Sequence, residues 1–217
     1  MSPRGVWGAL LAAVLVSQTV GASVFVLTQQ DRPAQPREVS VAVIGDSLTA
    51  GGLNRVVWPT LLAARTGWSV ANFALPDAGF VADGRGGHAF TYQVDRARAM
   101  HPRVVLFMTG GADNGLPEMD AVRMGALDAI NKVITAGERA LVIGPTWYES
   151  PVPEQVRRVS AAVAKASAEV GAPFLDALDP PWLTPQLMHP DASGPTDAGQ
   201  SVIADKVAAW LRTEVPA

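Results

Sequence analysis

The chain has 217 residues, 48% of them hydrophobic, a formal net charge of −3 and no cysteine. That length suits one α/β domain with a sizeable core plus an N-terminal extension. The composition excludes disulfides, thiolate metal sites and a cysteine nucleophile, and the lack of a basic run argues against a nucleic-acid partner.

The N-terminus reads as a targeting segment. Arg4 supplies a positive n-region, no charged residue follows from Gly5 to Gln30, and Val6 to Val16 form an apolar h-region. Val20-Gly21-Ala22 resembles a small-residue cleavage site, yet Val24-Phe25-Val26-Leu27 prolongs the apolar stretch to about the length of a bilayer span. Residues 1–28 are therefore a signal anchor or a cleaved signal peptide, the anchor being favoured, with Arg4 holding the N-terminus in the cytoplasm. Either reading makes the protein extracytoplasmic, membrane-anchored or secreted. Residues 29–38, polar and carrying Pro33 and Pro36, form a stiff solvated linker. Residues 39–217 are left as the folded domain.

Strand and helix patterns alternate through that domain. A β-branched run at 39–44 reads as a buried strand and ends abruptly in Gly45-Asp46-Ser47-Leu48. The patterns then predict a helix over 56–65 stopped by Gly67, a strand over 69–74, a helix over 90–100 ended by His101-Pro102, and a strand over 104–108. An amphipathic helix follows over 118–135, its apolar positions including Val122, Ile130 and Val133, closed by Gly137. A strand over 140–143, a helix over 153–170, a strand over 174–178 and a helix over 196–212 complete the order. This implies a doubly wound, five-stranded parallel sheet with helices on both faces. Right-handed crossovers then bring every strand-to-helix loop to one edge, where ligands of such sheets bind. Ser47, Gly79, Asp113 and Trp147 all lie in those loops.

The motifs at that edge resemble those of the SGNH, or GDSL, hydrolase family over about residues 39–213. Its first block is met by Gly45-Asp46-Ser47-Leu48, with Ser47 at the nucleophile. Its second, a glycine after the second strand, is met by Gly79. Its third, Gly-x-Asn-Asp, falls on Gly111-Ala112-Asp113-Asn114. Its fifth, Asp-x-x-His-Pro before a helix, falls near Asp191 to Gly199. The resemblance implies a three-layer α/β/α sandwich, a flavodoxin-like arrangement, and a serine hydrolase mechanism. In that mechanism the Ser47 and Gly79 amides and the block-three Asn hold the oxyanion.

Two positions depart from the pattern. Asp113 stands where the oxyanion-binding Asn is expected, and a carboxylate there repels the developing charge; a one-residue shift presents Asn114 instead. Around the base two registers compete. The favoured one enters the last helix through Pro195-Thr196-Asp197, placing Asp191 at the family's Asp and Gly194 at its His. The other uses His189-Pro190 and puts Gln186 at the Asp. Glycine offers no base, so in the favoured register His189 serves as a substitute, oriented by Asp191. A plain surface-loop histidine is the competing view.

His88 lies in the Gly-rich loop 83–88 at the same edge, whose glycines do not have dinucleotide-binding spacing. His101 suits a helix end. No metal-ligand spacing occurs and no cofactor is implied. Trp147 and Tyr148 after the fourth strand are candidates for a pocket wall. The sequence thus points to an extracytoplasmic esterase or deacylase forming an acyl-Ser47 intermediate on an acylated glycan, lipid or small ester. The alternative is a catalytically impaired relative that keeps the fold to bind an acyl or glycan ligand or a protein partner.

Overall fold

A computed structural model describes residues 40–215; the expected targeting segment, 1–28, and the linker, 29–38, lie outside the described residues. Among the described residues no helix is long and apolar enough to cross a membrane.

Five strands form one parallel sheet: β1 (Ser40–Gly45), β2 (Ser69–Asn72), β3 (Val104–Met108), β4 (Arg139–Ile143) and β5 (Phe174–Leu175). Their order is β2-β1-β3-β4-β5. Chain order therefore runs outward in one direction from β1 to β2 and in the other from β3 to β5. The reversal falls between β1 and β3, the crevice where doubly wound sheets bind ligands.

Among the described residues six α-helices accompany the strands: α1 (Ser47–Ala50), α2 (Trp58–Thr66), α3 (Phe90–Arg98), α4 (Met119–Ile134), α5 (Glu154–Glu169) and α6 (Asp197–Glu214). Side chains of a strand alternate between faces. Ala42, Ile44, Val105, Phe107 and Val142 accordingly pack against α3, α4 and α5. Val41, Val43, Leu106, Leu141 and Ile143 pack on the other face against α2 and α6. β3 is buried along its whole length, as its unbroken apolar run Val-Val-Leu-Phe-Met requires.

The predicted order of strands and long helices holds throughout, and the differences lie at the ends. β5 stops at Leu175, not at 178, because the Asp176 carboxylate accepts the Leu178 amide at 2.9 Å and turns the chain. The short α1 and a 3₁₀ turn at Pro185–Leu187 were not expected. α6 starts where the favoured register put it: Thr196 is its N-cap, and the Thr196 hydroxyl accepts the Gly199 amide at 3.3 Å.

Candidate active site

At the end of β1 the chain turns through Asp46. The Asp46 carbonyl accepts the amides of Thr49 and Ala50 at 3.1 and 2.8 Å, which makes the single turn of α1. Its carboxylate accepts the Leu48 amide at 2.9 Å through one oxygen and the Gly111 amide at 2.9 Å through the other. One buried side chain thus ties the loop after β1 to the loop after β3 across the crevice. Position 110 must be glycine, since a Cβ there would lie 1.6 Å from the Asp46 carboxylate. Burial pushes the Asp46 carboxyl up to about 6, against the lowering effect of its two amide donors.

Two buried glutamines fix this turn from opposite faces of the sheet. Gln93 of α3 pairs with both polar groups of Gly45: its Oε1 accepts the Gly45 amide and its Nε2 donates to the Gly45 carbonyl, each at 2.9 Å. Gln200 of α6 donates to the Leu48 carbonyl at 2.9 Å and accepts the Trp58 amide at 2.8 Å. Neither glutamine stood out in the sequence; a polar residue inside an apolar helical stripe is the signal that marks them.

Ser47 is the first residue of α1, and its amide is among those a helix leaves without an intrahelical partner. Its hydroxyl donates to Asp77 Oδ1 at 2.9 Å, and the Asp77 amide donates back to Ser47 Oγ at 2.9 Å. Asp77 has φ +64°, a left-handed conformation uncommon outside glycine. Ser47 and Asp77 open on a cavity of about 370 Å³, which Asn54, Arg85, His189 and Gly194 also line.

The expected site residues divide in this geometry. Ser47 and His189 share the cavity, and His189 Nε2 is buried without a hydrogen-bond partner. The Ser47 proton, however, is directed to Asp77 and not to His189. Asp191 does not orient His189. It is exposed, and its carboxylate accepts the amide and hydroxyl of Ser193, the hydroxyl foremost holding its pKa below the usual carboxylate range. Gly79 is not the amide that meets Ser47 either, because its N–H donates to the Ala82 carbonyl at 2.9 Å. Its lack of a side chain serves packing: a Cβ there would fall 2.3 Å from Asp113 Oδ1.

Asp113 is buried and accepts the amides of Phe80, Val81 and Ala82 at 2.7, 3.2 and 2.9 Å. It organises the loop after β2 and faces no reacting group. Asn114 is half-buried, with an unpartnered Oδ1, and is not among the cavity's lining residues. Trp147 stacks on Tyr148 with ring centroids 5.1 Å apart and packs against Val152, Val156 and Leu178, away from the cavity. His88 stacks on Tyr92 at 3.7 Å. Among the described residues no group of three or more His, Cys, Asp or Glu side chains could hold a metal ion.

The GDSL-like lipase/acylhydrolase family model matches residues 43–202. The chain belongs to this family. It is 30% identical to the GDSL lipase Rv0518 of Mycobacterium tuberculosis, over 81% of this chain and 82% of that protein. Among solved structures it resembles the psychrotrophic esterase EstA of Pseudoalteromonas sp., with a TM-score of 0.68 and 16% identity over 83% of this chain and all of that one. It also resembles a family two carbohydrate esterase of Clostridium thermocellum, with a TM-score of 0.66 and 14% identity over 83% of this chain and 65% of that one. At these identities the two structures show the shared fold.

The start of α6 agrees with the favoured register, in which Gly194 is expected at the family's His, and nothing lies within 4 Å of where a Gly194 Cβ would be. Asp113, expected at the oxyanion position, instead holds three amides of the loop after β2.

Proposed function

We propose that the protein is an ester hydrolase, an esterase or deacylase, acting through an acyl-Ser47 intermediate. The observation that carries this reading is the position of Ser47. It sits just past the end of β1, at the sheet's switch point, with its Oγ hydrogen-bonded twice to Asp77 and open to a cavity. A serine hydroxyl becomes a useful nucleophile only when a neighbouring group accepts its proton, and the attacked carbonyl then needs donors in place. The Asp77 amide, which donates to Ser47 Oγ at 2.9 Å, lies beside that point, and the Ser47 amide opens α1 without an intrahelical partner. His189 lines the same cavity, with its Nε2 left without a protein partner.

The lining of Asn54, Arg85, His189 and Ser193 favours a polar ester, such as an acylated glycan or a small ester, over a long lipid chain. The apolar segment 1–28 supports an extracytoplasmic site of action. A second reading rests on Gly194: with no imidazole at that position, the domain keeps the cavity for binding an acyl or glycan ligand without turnover.

The test is hydrolysis of p-nitrophenyl acetate by the full-length chain purified in detergent, beside Ser47→Ala. Turnover that disappears in Ser47→Ala supports the hydrolase. Equal rates for the two proteins refute it and leave the binding reading.

A further inference from the structure

We propose that Asp77 is the general base of this site, a catalytic residue that does the work of the imidazole absent at Gly194. This rests on the reading of Ser47 as nucleophile.

The geometry is direct. Asp77 Oδ1 accepts the Ser47 hydroxyl at 2.9 Å, inside the reach a general base needs before any substrate arrives. Its own amide donates to the same oxygen at 2.9 Å. One residue therefore contacts the nucleophile twice, once as acceptor and once as donor. That double contact depends on the backbone at Asp77, whose φ of +64° is a conformation that costs a non-glycine residue energy. Asn and Asp tolerate it best, and of these only Asp brings a proton acceptor. The turn is held from behind, since the Pro76 carbonyl accepts the Arg85 amide at 3.0 Å and the Ala78 amide donates to the Leu75 carbonyl at 3.3 Å. The other titratable or charged groups near the pair are Arg85 and His189, which line the same cavity, and Asp46, buried below Ser47. No other carboxylate is hydrogen-bonded to Ser47 among the described residues.

The proton balance closes on Asp77 alone. As the Ser47 Oγ–carbon bond forms, the hydroxyl proton passes to Asp77 Oδ1 and the carbonyl electron pair moves to its oxygen. The carbonyl re-forms, the carbon–alkoxide bond breaks, and the alkoxide leaves with the proton from Asp77. Water then attacks the acyl carbon and gives a proton to Asp77. The Ser47 Oγ–carbon bond breaks, and Ser47 recovers its proton from Asp77 as the carboxylic acid departs.

The test uses the full-length chain in detergent, p-nitrophenyl acetate, and a fluorophosphonate that labels activated serines. Asp77→Asn keeps the amide and the left-handed turn but removes the base, and Asp77→Gly removes the side chain altogether. Both should keep the wild-type melting temperature within a few degrees and lose about 10²–10⁴ in kcat/KM. The pH profile separates Asp77 from His189. A carboxylate base gives an acid limb in the carboxylate range, an imidazole one near neutrality. His189→Ala should raise KM and leave the acid limb where it was. A limb near neutrality that vanishes in His189→Ala and persists in Asp77→Asn overturns the proposal. So does an Asp77→Asn or Asp77→Gly protein as active as wild type or more so. Those results spare the hydrolase reading, because Ser47 would still turn over and label. A wild type that neither hydrolyses the ester nor labels at Ser47 removes both.

Discussion

Replacing Gln93 by Leu should release the nucleophile turn from its support without changing a single residue of the cavity. Gln93 is fully buried, and its amide is the partner of both the Gly45 N–H and the Gly45 carbonyl. Leucine is of similar size, so the dominant loss is polar. The Gly45 N–H would stay buried without its Gln93 partner, while the Gly45 carbonyl would keep the Leu75 amide at 3.1 Å, so the loss is about 1–3 kcal/mol, roughly 2 kcal/mol. For a domain of this size each kcal/mol lowers the melting temperature by about 2–4 °C, so the variant should melt about 6 °C below wild type. Circular dichroism of the full-length chain in detergent measures this. Gln93→Glu refines the test. The introduced carboxyl, when ionised, still accepts the Gly45 amide but faces the Gly45 carbonyl with negative charge; when protonated, it can donate to that carbonyl. The fold therefore raises the pKa of the introduced group, and the stability it contributes is present at low pH and lost as pH rises through the raised value. Gln93→Glu should melt close to wild type at about pH 4 and well below it at about pH 8. A Gln93→Leu protein melting within about 2 °C of wild type, a threshold of about half a kcal/mol, would refute the role assigned to this glutamine.

Gly79→Ala tests the reassignment of that glycine from oxyanion donor to packing site. The new Cβ would fall 2.3 Å from Asp113 Oδ1, displacing the carboxylate from the three amides it holds, and should cost about 2–4 kcal/mol by thermal melting. A variant of unchanged stability but much reduced turnover would restore Gly79 to the oxyanion site. Asp46 makes a prediction about pH. Its carboxyl is raised from 3.8 to about 6, so the fold prefers the protonated form. The associated stability is fully present below 3.8 and lost as pH rises through about 6, an effect on the order of 3 kcal/mol. The difference in melting temperature between wild type and Asp46→Asn should therefore shift against wild type from about pH 4 to about pH 7; a pH-independent difference would contradict it.

The sheet was legible because each strand carries its own evidence. Residues 41–44 and 104–108 are apolar runs too short for helices and buried on both faces, and 119–134 and 154–169 repeat their apolar positions at helical spacing. Element ends were less legible because distant or local side chains set them, as Asp176 does for β5. Ser47 was legible for a related reason: a buried strand that stops at Gly-Asp-Ser can only deliver those residues to the sheet edge. Asp77 was not. It sits in Pro-Asp-Ala-Gly, an ordinary turn sequence, and its contact with Ser47 depends on a positive φ at a non-glycine residue. Gly79, two positions on, is a glycine after the second strand and drew the assignment. Asp113 misled in a similar way: its charge was weighed against a developing oxyanion, whereas its true counterparts are three amides of a loop 31 to 33 residues earlier in the chain.

The turn that carries Ser47 is held by groups outside the cavity. Gln93 reaches Gly45 from 48 residues away and Gln200 reaches Leu48 from 152, one from each face of the sheet, while Asp46 spans the crevice to Gly111. None of these groups is a proton acceptor for Ser47, and none depends on what stands at position 194. The scaffold that aims the nucleophile is thus physically separate from the group that activates it. The absence of a side chain at Gly194 leaves the aim of Ser47 untouched, and any acceptor that reaches its Oγ can take the proton. The loop after β2 is the element that approaches closely enough, and Asp77 is the residue it presents.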